Sequence, residues 1–500
     1  MNSLYIQILI SINLFLSFIL VILCAILRNN NINRITFLNF FYEFLRRFYT
    51  LFVAVEGLYL GFSEGLTFYE SASYYSLDSN YLNFLLKFNI DAMSYYFILL
   101  TTLTIVQCCS YLQVKYAKVD NLSEYYENSF FIQLISLFLL LFFTTSNLLF
   151  LYITYEAVLI PMFILIGMKG SRERKIRASY LFFYYTLCNS LPMLVSILYM
   201  FQCTGSFDME YIKFNSNFTN TEQLLLCAGF FLAFAAKIPM IPFHIWLPEA
   251  HVEAPTIGSV VLAGILLKLG VYGIIRVNIG LFPVICQTYA PIVIVFATFS
   301  IILASFAAVR QTDIKRIIAY SSIAHMNLIV LGLFSNSSLG IEAAILQSLN
   351  HGYVAGGLFF LIGMIYDRYH TRNIHYYGGL AHVMPIFAGF FLLFTMANIA
   401  LPGTGNFVGE FLLLTAIFKK TSTVGIIAAL GVIFVGAYAL WLCNRTIYGN
   451  FKNTYLLQGK DLNFGEILIL LEFTLYIIIL GIYSEVLLNY FHSSGLISLF

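Results

Sequence analysis

The sequence predicts an all-α polytopic membrane protein of about fourteen transmembrane helices, with two inverted five-helix repeats and broken helices 7 and 12. Three observations carry that expectation. Apolar residues make up 60% of the 500-residue chain and charged residues 10%, with a mean hydropathy of +0.86, whereas a soluble domain carries about 25% charge. Apolar runs of membrane length recur between short polar breaks. The basic residues concentrate in alternate breaks.

In order, the spans fall near residues 4–27, 46–62, 90–112, 129–145, 147–168, 178–203, 222–242, 254–279, 288–309, 315–334, 340–366, 383–418, 424–448 and 465–490. The first is apolar from Met1 to Leu27 and lacks a basic start and a small-residue cleavage site. It therefore reads as a span and not as a removable signal, with no transit peptide before it. The second opens on the polar pair Arg46 and Arg47 and is the least regular. Ser63 to Asn89 is a polar loop large enough to cap one face. The remaining spans are bounded by polar or basic breaks. The expected domains are 1–128 for helices 1–3 and their loop, 129–279 for the first repeat (helices 4–8), 288–448 for the second (helices 9–13) and 465–500 for helix 14.

An even count puts both termini on one side. The loops on the other side then hold nineteen Lys and Arg, the terminus side five, and two further lysines lie inside spans, which completes the total of 26. By the positive-inside rule the even-numbered helices start on the matrix or cytoplasmic side. Both termini are thus expected on the opposite side, which is the intermembrane space if the membrane is a mitochondrial inner one.

The composition also excludes function classes. A net charge of +2 implies no nucleic-acid partner. The eight cysteines form no CxxC, and Cys108 and Cys109 are adjacent, so all read as packing residues rather than metal ligands. No iron–sulfur, haem or nucleotide fingerprint occurs. The 50 Phe and 35 Tyr suit lipid-facing bulk and interfacial belts; codon bias of an AT-rich organelle genome is a second reason for such usage.

Two lysines lie deep inside apolar segments. Lys237 follows thirteen uncharged residues and runs into Ile238-Pro239-Met240-Ile241-Pro242; Lys268 follows fourteen more. A charge at bilayer depth costs at least about 2.5–3.5 kcal/mol, so such residues are expected to move or hold something. Pro239 and Pro242 remove the donors to the carbonyls of Ala235 and Ile238 and break helix 7. Leu401-Pro402-Gly403-Thr404-Gly405-Asn406, followed by Phe407-Val408-Gly409-Glu410, breaks helix 12. Paired interruptions in two halves point to an inverted-repeat transporter, although a proline kink is also compatible with plain packing.

The candidate site residues follow. Glu156 lies within helix 5, and an ion pair with Lys237 would hold that lysine charged until the carboxylate withdrew; a static pair fixing helix packing is the alternative. Lys268 is flanked by Gly264, Gly270 and Gly273, which allow close helix approach; snorkelling is the alternative, but each end of its span is a dozen residues away. Glu410 stands at the second break. His325 and His351 lie between Lys268 and Glu410 in chain order, and imidazole can relay protons through its two nitrogens, though a helical histidine is often just hydrogen-bonded. His244 and His251 flank the helix 7–8 connection and could gate an entrance, although loop histidines are usually structural; of the two, only His244 is kept, as a minor site candidate. Glu342 and Glu472 also fall in apolar stretches and receive no role. The line as a whole reads as a proton path.

Three motifs carry a family resemblance: Lys237 through Pro255 (KIPMIPFHIWLPEAHVEAP), Gln311 through Ser322 (QTDIKRIIAYSS) and Leu401 through Glu410 (LPGTGNFVGE). They resemble the antiporter-like subunits of respiratory complex I, and the likeness runs from about Asn89 to Tyr483. A glutamate at the helix 12 break, where the chain 2 and chain 5 types carry lysine, sets this chain with the remaining large member. The resemblance implies fourteen helices in two inverted five-helix repeats and a proton pathway through Glu156, Lys237, Lys268, His325, His351 and Glu410. It implies other membrane subunits as partners, especially the chain 2 and chain 5 types, together with lipid. It implies no cofactor on this chain, with FMN, iron–sulfur clusters and ubiquinone held by other subunits, and a mitochondrial inner-membrane location. The segment from Arg28 to Lys87 departs from the family pattern. Two rivals remain: a large subunit of a multi-subunit sodium/proton antiporter, which shares these motifs, and a structural spacer, which has no use for costly buried charges.

Overall fold

The computed structural model describes residues 91–116, 122–215, 217–450, 452 and 460–493. The expected first two spans and the 63–89 loop lie outside the described residues. The rest is helical, and the described residues hold only isolated bridges, Asn147 to Asp208 and Asp313 to Asn373. The helices, in our numbering, are α1 (Ala92–Tyr116), α2 (Leu122–Thr144), α3 (Leu148–Ala157), α4 (Leu159–Lys169), α5 (Lys175–Thr204), α6 (Met209–Asn215), α7 (Asn220–Lys237) and α8 (Trp246–Glu253). Then follow α9 (Thr256–Ile279), α10 (Pro283–Val309), α11 (Ile314–Leu333), α12 (Ser338–Tyr369), α13 (Pro385–Asn398), α14 (Gly405–Lys420), α15 (Ser422–Thr446), α16 (Phe464–Ile482) and α17 (Ser484–Ser493).

Ten stretches of the described residues are long and apolar enough to cross a membrane. They correspond to expected spans 3–6, 8–11, 13 and 14. Span 7 appears as α7, which stops at Lys237 just before its prolines, and the stretch expected to connect spans 7 and 8 holds the short helix α8; span 12 appears as the pair α13/α14, separated at its predicted proline-containing break.

The chain divides into two compact units: residues 1–165, 197–216 and 489–496 in the first, 166–196, 217–488 and 497–500 in the second. In the first unit, Asn147 caps α3 by accepting from the amides of Leu149 and Phe150 at 2.9 and 3.2 Å. Such a cap satisfies donors that a helix start leaves open. Phe97 of α1 stacks on Phe143 of α2 at 5.4 Å.

In the second unit α12 is the axle, buried along its whole apolar span, with α11, α14, α13 and α16 packed around it. A largely apolar helix that is buried on every side belongs at the centre of a bundle. α10, α15 and α16 present Phe, Ile, Leu and Val outward, as lipid-facing helices do. The polar residues of the central helices therefore point at one another, and that arrangement builds the site.

Candidate functional site

The first break begins at Lys237, the last residue of α7. A Thr219/Glu222 capping box secures the start of this helix, and the proline pair stops its hydrogen-bond ladder at the far end. The freed backbone groups find protein partners. Met240 N donates to Ala235 O at 3.0 Å, the Trp246 indole to Ala236 O at 2.9 Å, and Ile241 N to Ser300 Oγ at 3.0 Å. Backbone can leave its helix at membrane depth only when such partners exist. The lysine beside this break is 0% exposed. At Gly270 of α9 a Cβ would lie 2.5 Å from Ile238 Cγ1 and 2.9 Å from Phe234 O, so glycine lets α9 close on the end of α7.

Lys268, also 0% exposed, sits on α9 between two π-helical stretches, Leu262–Leu266 and Ile274–Ile279. π turns in a helix recur at functional sites. Its ammonium donates to Ala263 O at 2.6 Å and to His351 Nδ1 of α12 at 3.0 Å. No carboxylate stands in that pair of contacts; an imidazole does. The ring of His325 on α11 lies 5.6 Å from that of His351, centroid to centroid. His325 Nδ1 in turn is 2.9 Å from Glu410 Oε1 on α14, and Gln347 Nε2 of α12 donates to the same oxygen at 3.2 Å. Lys268, His351, His325 and Glu410 thus form one buried line across four helices.

The second break holds the Glu410 end in place. α13 stops at Asn398, and the turn passes through positive φ at Ala400 (64°) and Gly403 (94°). Asn406 Nδ2 donates to Ala397 O at 3.0 Å, and Asn350 Nδ2 to Gly405 O at 2.8 Å. A Cβ at Gly405 would fall on the Asn350 amide. α14 then starts with Glu410 in its second turn.

A second group of charges gathers where α8, α9, α11 and the end of α12 meet. Lys315, at the edge of its span and one of the nineteen cations assigned from sequence to the basic-side loops, is buried and donates to Ala254 O at 3.0 Å and Ser259 Oγ at 3.2 Å. Arg372, counted likewise, is 2% exposed. Its guanidinium bonds Val252 O and Ser171 Oγ and stacks 4.5 Å over Tyr366. Burial pushes the Asp313 carboxyl above its ordinary range, against the pull of Arg372, Arg172, Arg316 and Lys315. The buried His251 ring stacks on Phe359 at 4.6 Å.

Of the residues singled out from sequence, Lys237, Lys268, His325, His351, Glu410 and His244 belong to the second unit, and four of them are in the line above. His244 is half-buried in the connection after α7. Glu156, half-buried on α3, belongs to the first unit. Sequence reasoning missed Gln347, Asn350, Trp246 and Ser300. For Gln347 a signal existed: it precedes His351 by four residues, which places both on one face of α12.

Comparison with known proteins agrees with this architecture. Residues 145–436 match the family described as NADH:quinone oxidoreductase/Mrp antiporter, transmembrane region. The chain is 48% identical over 414 residues, 83% of its length and 82% of the relative's, to NADH-ubiquinone oxidoreductase chain 4 of Marchantia polymorpha. It is 44% identical over 438 residues, 88% of each chain, to the chain 4 protein of Chondrus crispus. Among solved structures it is similar to a chain of respiratory complex I from Thermus thermophilus with bound NADH, with a TM-score of 0.82, 27% identity and coverage of 97% and 99%. An archaeal membrane-bound sulfane sulfur reductase contains a chain of the same fold, with a TM-score of 0.79 at 20% identity, covering 98% and 96%.

Proposed function

This chain belongs to the NADH:quinone oxidoreductase/Mrp antiporter family, and we propose that it is a proton-translocating subunit of the membrane arm of respiratory complex I, of the chain 4 type. Curated relatives named chain 4 at 48% and 44% identity over most of the chain support this over the sodium/proton antiporter alternative. In this reading the protein is a multi-pass component of the mitochondrial inner membrane. Electrons pass from NADH to ubiquinone through FMN and iron–sulfur centres in other subunits, and this chain contributes proton transfer to the translocase. The two repeats, 129–279 and 288–448, carry its two halves.

One observation carries the proposal: the buried line in which Lys268 bonds His351, the His351 and His325 rings stand side by side, and His325 pairs with Glu410. Its chemistry follows from the atoms engaged. The Lys268 ammonium faces His351 Nδ1, so a proton given there leaves by Nε2 of the same ring. His325 uses its Nδ1 toward Glu410, so its Nε2 is the receiving atom. The two rings, 5.6 Å apart at their centroids, exchange a proton by ring rotation or through one bridging water. Gln347 donates to the Glu410 carboxylate and holds its acceptor oxygen in position. Each transfer leaves the donor ring in its other neutral tautomer, with the accepting nitrogen protonated, and a ring flip must reset it before the next proton.

Input belongs to Lys237, buried at the break of α7 where α9 packs closely. Charge changes at Glu156 and Lys237 would tie the relay to neighbouring subunits, and the proton leaves beyond Glu410. The test is reconstitution of the complex carrying Lys237→Ala. The expected result is NADH oxidation with reduced proton translocation; a complex that assembles and pumps with wild-type stoichiometry would refute the proposal. Co-purification separates the antiporter reading, because a redox-free assembly would favour it over complex I.

A further inference from the structure

α16 carries a charge in the wrong place for a helix that faces only lipid. Its 19 residues are apolar apart from Thr474 and two glutamates. Glu466 is accounted for: it lies in the first turn, takes two bonds from Arg368 at 2.6 and 3.1 Å, and accepts from Asn463 N at 2.8 Å. Glu472 is not. It is exposed, and among the described residues it makes no hydrogen bond or ion pair; the Tyr476 phenol one turn along the same helix is near enough to feel its charge but does not bond it. As the ninth residue of the helix it lies about 12 Å from one end and about 15 Å from the other at a rise of about 1.5 Å per residue. That depth is beyond the reach of so short a side chain to either membrane surface. The inward face of α16, Ile469, Leu470, Phe473 and Ile477, packs against the rest of the unit, whereas Leu468, Leu471, Leu475 and Ile479 form an outward apolar stripe around Glu472.

Hydrocarbon tails offer a carboxyl group no donor, and polar groups at bilayer depth are retained where they find a protein partner. Helix pairing in membranes supplies such partners through cross-helix hydrogen bonds. We propose that the outward face of α16 seats a transmembrane helix of another subunit, which presents a donor side chain (Lys, Arg, His, Tyr or Asn) to Glu472 at mid-membrane. The apolar stripe provides the packing surface and the carboxyl fixes depth and register. The inference rests on the reading of this chain as one subunit of a larger membrane complex and adds where a neighbour docks.

The experiment uses the intact complex and the same chain stripped from it in detergent. Both are treated with dicyclohexylcarbodiimide, an apolar reagent that modifies carboxyl groups accessible from the hydrocarbon phase, and peptides containing Glu472 are read by mass spectrometry. The expected result is modification in the stripped chain and protection in the complex. Modification in the intact complex would mean that lipid covers this face. Absence of modification in both would mean that the chain covers Glu472 itself. Either result overturns the proposal. In parallel, Glu472→Leu is expected to lower the share of chain migrating with the complex on a native gel by about fivefold or more, as loss of a buried hydrogen-bond acceptor does. Glu472→Gln, which still accepts, should retain it, and equal retention of both variants also overturns the proposal. A chain that purifies in no larger assembly would instead remove the functional reading beneath it, a distinguishable failure.

Discussion

Glu410 offers the sharpest separation between a relay and a packing device. Its Oε1 receives two donors, His325 Nδ1 at 2.9 Å and Gln347 Nε2 at 3.2 Å, in surroundings where the residue is 3% exposed. Glu410→Gln keeps an oxygen in that position, so both donors stay satisfied and the structure should lose no more than about 1.5 kcal/mol, the scale of one charge-assisted bond becoming neutral. What it removes is the ability to take up and release a proton. A positioned acid or base typically accelerates proton transfer about 10²–10⁴-fold, so transfer through this line should slow by at least about 100-fold. Glu410→Leu strands both donors at about 1–3 kcal/mol each, and should reduce assembly as well as activity. The assay is a proteoliposome measurement of NADH oxidation and proton uptake in the same sample, with thermal stability followed in parallel. If Glu410→Gln pumps at the wild-type rate and stoichiometry, the carboxylate is only a hydrogen-bond acceptor and the relay argument is wrong.

Other substitutions probe the scaffold. Trp246→Phe keeps the ring beside Phe182 but deletes the donor to Ala236 O; thermal unfolding should report a loss of about 1–3 kcal/mol, together with slower pumping. Gly405→Val drives a side chain into the Asn350 amide at the second break, so the chain should be largely missing from the assembled complex on a native gel. Arg372→Met strips donors from Val252 O and Ser171 Oγ and removes the cation beside the half-buried Asp313; melting should reveal a destabilisation of about 3 kcal/mol. His351→Phe preserves an aromatic ring on α12 while breaking the contact with Lys268; proton uptake should fall far more than complex content on a native gel.

The spans and their interruptions were readable because they depend on local properties: runs of apolar side chains, and prolines that remove specific donors. Lys237, Lys268 and Glu410 stood out for a similar reason, since a lone charge in an apolar run is conspicuous without any knowledge of its neighbours. The groups that make the breaks tolerable were not readable. Trp246 reaches a carbonyl ten residues back, Ser300 reaches an amide 59 residues away, and Asn350 bonds Gly405 across 55 residues. Such partners exist only after helices pack. Lys315 and Arg372 misled for the opposite reason: a cation near a span end usually reaches water, and only the packing of α8, α9 and α12 around them encloses these two. The π turns beside Lys268 leave no pattern in a single sequence either.

The broken helices do more than open the bundle to polar groups. A continuous transmembrane helix keeps its dipole ends at the two surfaces, where water screens them. Stopping α7 at its break and interrupting α13/α14 brings helix ends into the interior, each equivalent to about half an elementary charge. Lys237 is the last residue of α7, so its ammonium sits at the negative end of a half-helix. Glu410 lies in the second turn of α14, on the positive side, where the field is already weaker because it falls off within about one turn. The dipole therefore suffices to favour charge at Lys237 more than at Glu410, and Glu410 depends on His325 and Gln347 for the remainder. The first break is tied to the sign of the residue beside it: reversing that charge, as in Lys237→Glu, would set it against its own half-helix.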